Sequence, residues 1–162
     1  MDRFKSINDT YGHETGDLAI VHAVTVCRGR DREDTLFARY GGEEFVLGLP
    51  SRTLAEAAAL AERIRTALVE SPMMTGIGPI AVTCSFGVVQ AEDLKQDTLE
   101  SLMRRADEAL YVSKRCGRNR VSNTRCFWLR CPLSPAAIPE CTDTKKPGCY
   151  AAGLFGVLGM LR

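Results

Sequence analysis

The chain has little that points to a polyanion, a metal cluster or a membrane. Lys plus Arg number 21 and Asp plus Glu 20 in 162 residues, a formal net charge of +1. A balance so close to zero sets up no global field for nucleic acid or a membrane surface, so any anion has to be held locally. No basic flank followed by an apolar stretch opens the sequence; no secretory leader is therefore expected, and a cytoplasmic setting follows. The apolar stretch near the carboxyl end, Tyr150 to Leu161, is 12 residues long, short of the roughly 20 that cross a bilayer. The two histidines, His13 and His22, lack metal-ligand spacing and read as packing or turn residues. Seven cysteines include no CxxC pair, so no zinc site is expected. Cys27, Cys84 and Cys116 read as single buried thiols, and the other four fall in the last quarter of the chain.

What is present organises residues 1 to 121 as one α/β domain. After a polar opening, Leu18, Val21, Ala23 and Val24 recur at near-helical spacing between Gly16 and Cys27 and predict a short helix against a sheet. Residues 37 to 49, FARYGGEEFVLGL, read as two strands about a Gly-Gly turn. From Thr53 to Glu70, Leu54, Ala57, Ala61, Ile64 and Leu68 line one helical face. Pro72, Gly76, Gly78 and Pro79 mark a loop, and Ile80 to Val89 reads as a buried strand. A last helix, Thr98 to about Arg115, buries Leu99, Leu102, Met103, Ala106, Ala109 and Leu110. This order predicts helices packed on a mainly antiparallel sheet. Residues 122 to 162 hold four Pro and four Cys and are expected to form a disordered tail.

Tyr40-Gly41-Gly42-Glu43-Glu44-Phe45 has chemical potential of its own. Glycines at a hairpin tip let backbone N–H groups approach a ligand, and the adjoining carboxylates are hard oxygen ligands suited to Mg²⁺ and a triphosphate. Taken alone, the run is equally an ordinary hairpin with a solvated acidic tip.

Two further blocks place it. Asp2 to Asp17, DRFKSINDTYGHETGD, matches the pattern DxFKxIND-xxGHxxGD, and 23 residues separate Asp17 from Gly41. Ala106-Asp107-Glu108-Ala109-Leu110-Tyr111, then Lys114, Gly117, Arg118 and Asn119, matches ADxALYxAKxxGRN. Together these blocks resemble the diguanylate cyclase (GGDEF) family over about three quarters of the chain. The resemblance implies a nucleotidyl-cyclase, palm-like sandwich with a mainly antiparallel central sheet. It also implies condensation of two GTP into cyclic di-GMP with release of two pyrophosphates, Mg²⁺ or Mn²⁺ as cofactor, and a homodimer that faces two bound GTP.

By the same resemblance, Asn8 and Asp17 hydrogen-bond the guanine, an amide meeting its acceptor edge and a carboxylate its N1–H and exocyclic amine. Phe4, Lys5, Gly41 and Gly42 hold the triphosphate, with Lys114 and Arg118 neutralising it. Glu43 is the metal ligand, while Glu44 completes the signature and assists at the metal or the 3′-hydroxyl; Glu43, Glu44 and Lys5 form the implied catalytic set.

The family opens this block with a central strand ending in D-x-D-x-F-K, of which only the second Asp is present, as Asp2. The chain is thus expected to lack its first strand and an upstream input domain, to leave two strand edges open, and to retain Asp2 as a weak second metal ligand with reduced activity. A GTP- or cyclic di-GMP-binding module without turnover, or a non-functional fragment, are the alternative readings. An inhibitory RxxD is out of register: Arg32 pairs with Thr35, whereas Arg28 to Asp31 has the motif four residues early and Asp34 lies one position early.

Overall fold

Residues 1–30, 35–92, 96–123 and 157–161 are described by a computed structural model of the chain. Two helices open it, α1 (Phe4–Tyr11) and α2 (His13–Arg28). The hairpin β1 (Leu36–Gly41) and β2 (Glu44–Leu49) follows, then α3 (Leu54–Glu70). A small hairpin, β3 (Met73–Thr75) and β4 (Gly78–Ile80), precedes β5 (Phe86–Gln90), α4 (Leu99–Arg115), β6 (Val121–Asn123) and β7 (Val157–Leu161). The five-stranded sheet runs β1-β2-β7-β5-β6, antiparallel except for the β5–β6 pair.

Alternation along the strands sets the layers. Phe45, Leu47 and Leu49 of β2 and Phe86 and Val88 of β5 are buried in one cluster with Ala19, Ala23 and Cys27 of α2 and Ala57, Leu60, Ala61, Ile64 and Leu68 of α3. Val89 points the other way, into a second cluster with Leu102, Ala106 and Leu110 of α4. A strand whose successive side chains alternate between faces requires this division. Gly87, between Phe86 and Val88, is where α4 touches the sheet: a Cβ there would collide with Ala106 O and Leu110 N of the helix backbone. α3 starts with a full capping box, in which Thr53 accepts from Glu56 N and Glu56 accepts from Thr53 N.

Several expectations change. The polar opening is α1, and the loop around Pro79 forms the β3–β4 hairpin. Leu18 and Val21 are exposed; α2 instead buries Gly16, Ala19, Ala23 and Cys27, because small residues allow close contact with α1 and α3. Leu99 is likewise exposed, at the first turn of α4. Strand β5 begins only at Phe86. Cys27 and Cys84 are buried and not disulfide-bonded, as expected, but Cys116 is disulfide-bonded.

The largest departure lies at the centre of the sheet. The two edges expected to be open, on β2 and β5, are both paired with β7, from a segment the sequence assigns to a disordered tail. Residues 124–156 and 162 of that tail, and Asp31, Arg32 and Asp34 of the RxxD reading, lie outside the described residues. No helix among the described residues is long and apolar enough to cross a membrane.

Candidate nucleotide site

The crossing of α1 and α2 is built around Gly16. Arg3, at φ +55°, turns the chain into α1, and Gly12, at φ +85°, turns it from α1 into α2. These turns fold Asn8 and Phe4 of α1 onto α2. A Cβ at Gly16 would collide with Asn8 Oδ1 and stand 3.3 Å from Phe4 Cε2, so only glycine admits this approach. Asn8 Oδ1 is buried and accepts no hydrogen bond among the described residues. An unmatched buried carbonyl costs about 1–3 kcal/mol, which the tight α1–α2 crossing at Gly16 has to offset. Asp17 follows Gly16 directly and is exposed, as are Lys5 and Arg118.

The β1–β2 hairpin ends in a two-residue turn at Gly42–Glu43, with Gly41 still paired to Glu44, so the turn sits one residue later than the Gly-Gly reading placed it. Gly42 has φ +25°, and its carbonyl accepts from Arg39 Nε and Nη2 at 3.0 and 2.7 Å. That clasp fixes the tip and leaves Gly42 exposed beside half-buried Glu43 and Glu44.

Asp2 joins the first residues to the far end of the domain. Its carboxylate, in a residue only 6% exposed, accepts from Thr83 Oγ1 at 3.1 Å, Ser85 Oγ at 2.7 Å and the Asn119 amide at 3.0 Å. The last bond pins an unusual loop in which Gly117, Arg118 and Asn119 all have positive φ, at +107°, +65° and +44°. Left-handed non-glycine residues cost on the order of 1–3 kcal/mol each and persist only where their surroundings over-determine them. Asp2 and the Arg118 N–H to Ser113 O bond supply that constraint, and so aim Arg118 from just beyond α4.

The Met1 ammonium donates to Glu43 O at 2.9 Å. Burial pushes its pKa below the usual 8.0; Cys84, Glu43 and Asp2 oppose the shift, and Lys114 adds to it. Glu43, Asp2 and Lys114 therefore all lie close enough to Met1 to act on its charge. Burial also pushes the Cys84 thiol up to about 12. His22, whose Nε2 lies 2.8 Å from Ser71 O, packs between α2 and the end of α3.

No three His, Cys, Asp or Glu side chains converge as a metal cage among the described residues. Mg²⁺ needs no such cage, since one or two carboxylates completed by phosphate oxygens and water suffice. Glu43 and Asp2 provide hard oxygen donors of that kind, although three of the lone-pair directions on Asp2 are already engaged within the protein. Sequence reasoning named candidate ligand-facing residues, but it passed over Thr83 and Ser85 and met Asn119 only as part of the closing motif; all three fix Asp2 from segments remote in sequence.

Comparison with known proteins agrees with this geometry. The family model for the diguanylate cyclase GGDEF domain matches residues 1–120. Diguanylate cyclase A of Treponema denticola is 42% identical over 122 residues, covering 75% of this chain but only 33% of that protein. The GGDEF domain of DgcB from Caulobacter crescentus, solved in complex with c-di-GMP, superposes with a TM-score of 0.71 at 36% identity, covering 76% of this chain and 73% of that one. The active GGEEF domain of a diguanylate cyclase from Vibrio cholerae gives a TM-score of 0.70 at 32% identity, covering 76% and 79%.

Proposed function

Since the chain belongs to the diguanylate cyclase GGDEF-domain family, we propose that it binds GTP between the α1–α2 crossing and the β1–β2 tip and condenses two GTP into cyclic di-GMP. The observation that carries this reading is the α1–α2 crossing at Gly16, which sets Asn8 against the helix that bears Asp17, in a fold that also presents an acidic glycine tip at Gly41–Glu44. Guanine offers its acceptor edge to the Asn8 amide and its N1–H and exocyclic amine to the Asp17 carboxylate. Adenine, lacking an N1–H and the 2-amine, leaves the carboxylate without its donors, which disfavours it at such a polar site.

Around the triphosphate, Gly41 and Gly42 admit close approach of the backbone, and Lys5, Lys114 and Arg118 balance the charge. Glu43 and Asp2 would hold Mg²⁺ or Mn²⁺, which when bound supplies Lewis-acid activation of the 3′-hydroxyl and of the leaving pyrophosphate. Glu44 accepts the proton of that hydroxyl. Each domain holds one GTP, so the two phosphodiester bonds require two copies facing each other, and activity rises more steeply than linearly with protein concentration.

The test is cyclic di-GMP formation by the purified 162-residue chain with GTP and Mg²⁺ or Mn²⁺, followed by chromatography. Product is expected from the parent, and Glu43→Gln is expected to reduce it by at least 100-fold, on the order seen when a charge-stabilising catalytic group is removed. Absence of product from a folded, GTP-binding parent overturns the reading.

A further inference from the structure

Arg65 lies on α3, outside every motif that points to the nucleotide. Each nitrogen of its guanidinium has a separate acceptor: Nε donates to Glu62 Oε2 at 2.6 Å, Nη2 to Thr66 Oγ1 at 3.3 Å and Nη1 to Asn119 Oδ1 at 3.2 Å. Glu62 and Thr66 belong to α3 itself and set the orientation of the fork on the helix. The bond to Asn119 crosses 54 residues to the loop beyond α4. Only 24% of the Arg65 side chain is exposed, so this bond is less open to competition from water than one at the surface. The loop it reaches is the one in which Gly117, Arg118 and Asn119 all have positive φ, a conformation that its surroundings have to impose. The Asn119 N–H is held by Asp2 and the Arg118 N–H by Ser113 O of α4. Arg65 adds the anchor from α3, and it is the one that grips a side chain of the turn.

We infer that Arg65 is a positioning residue for Arg118: by holding Asn119 it fixes the left-handed turn from which the exposed Arg118 reaches phosphate, a role that rests on the assignment of Arg118 to the triphosphate above. An exposed arginine loses side-chain freedom when it engages an anion, and a backbone already fixed at its base reduces what has to be ordered. α3 thereby takes part in phosphate binding without touching the substrate. Simple attraction between Arg65 and the triphosphate is a weaker account, because Glu62 lies against the guanidinium and offsets its charge. The two accounts differ in what they ask of the side chain. Attraction needs only a positive charge, which lysine also has. Positioning needs the planar fork, which donates in fixed directions to Glu62, Thr66 and Asn119 at once, and a lysine ammonium does not reproduce it.

Calorimetric binding of 3′-deoxy-GTP, which lacks the attacking hydroxyl and so is not turned over, to the full chain tests this. Arg118→Ala is expected to weaken binding by about tenfold, the loss of one charge-assisted contact. Arg65→Lys is expected to weaken it by about three- to tenfold despite keeping the charge, and to cost nothing further in the Arg118→Ala background. A general loosening of the domain would instead add to the loss from Arg118→Ala. Asn119→Gly removes the acceptor, keeps a residue that adopts positive φ and leaves α3 intact. It is expected to match Arg65→Lys, and it carries the test if the Arg65 variant melts below the assay temperature. Unchanged affinity in either variant, or losses that add to that of Arg118→Ala, overturns the positioning role and leaves the nucleotide site standing. A neutral Arg118→Ala in a parent that binds removes Arg118 from the triphosphate. A folded parent that does not bind overturns the nucleotide site itself, and in both of these cases the role of Arg65 falls with it.

Discussion

Two residues with opposite hydrogen-bonding states mark the site. Asp2 has its carboxylate occupied by Thr83, Ser85 and the Asn119 amide, which gives it a structural task besides any at a metal. Asp2→Ala leaves these donors without their acceptor and frees the left-handed loop at Gly117–Asn119, so stability is expected to fall by about 3 kcal/mol, read from urea denaturation. Asp2→Asn, which keeps an acceptor oxygen, is expected to lose less. Asn8 is the reverse case, with its amide oxygen buried and unmatched. Gly16→Ala forces that amide aside, and GTP binding measured by calorimetry is expected to weaken by at least tenfold; unchanged affinity would separate Asn8 from base recognition. The sequence disclosed Asn8, Gly16 and Asp17 as a spaced motif. It could not disclose the anchors of Asp2, since Thr83 and Ser85 have no spacing signal of their own and Asn119, although part of the closing motif, reaches Asp2 through its backbone N–H only in the fold.

Elements are legible to the extent that local pattern decides them. α3 was recovered almost to its ends because its apolar face is long and Thr53 and Glu56 form a cap visible in the sequence. The face of α2 was misassigned since its largest apolar residues, Leu18 and Val21, are exposed, while the buried face is made of Gly16, Ala19, Ala23 and Cys27. In that helix, close approach outweighs hydrophobic bulk. The same logic governs the contact between β5 and α4. A Cβ on Gly87 would lie 2.9 Å from Leu110 Cα and closer still to Ala106 O and Leu110 N, all atoms of helix backbone that cannot turn away. Gly87→Ala is therefore expected to destabilise by on the order of 1–3 kcal/mol, by pushing α4 off the sheet. Because Lys114 and the loop bearing Arg118 follow that helix, the variant is also expected to raise the KM for GTP more than it lowers stability-corrected kcat. A variant with parental stability and KM would show that α4 is free to shift.

At the scale of the molecule, the sheet centre is the least legible feature, since Val157–Leu161 is remote in sequence from both of its partners and five apolar residues after a Pro- and Cys-rich stretch have no signature of a core strand. Two buried groups, the Met1 ammonium and the Cys84 thiol, shape how the domain responds to pH. Burial lowers the pKa of the Met1 ammonium from 8.0, so between that lowered value and 8.0 the unfolded chain binds more protons than the folded one, and stability rises with pH across this window. Burial raises the Cys84 thiol from 9.0 to about 12; between those values the folded chain binds more protons, and stability falls as pH increases. The two groups together place their joint optimum between about pH 8 and 9. Urea midpoints measured from pH 6 to 11 are expected to rise and then fall about that interval. Cys84→Ala should remove much of the alkaline decline, whereas acetylation of the Met1 nitrogen, which makes it an amide, should remove the rise below pH 8 while keeping the decline above 9. If both arms persist unchanged in these variants, other groups set the pH response and neither Met1 nor Cys84 is its origin.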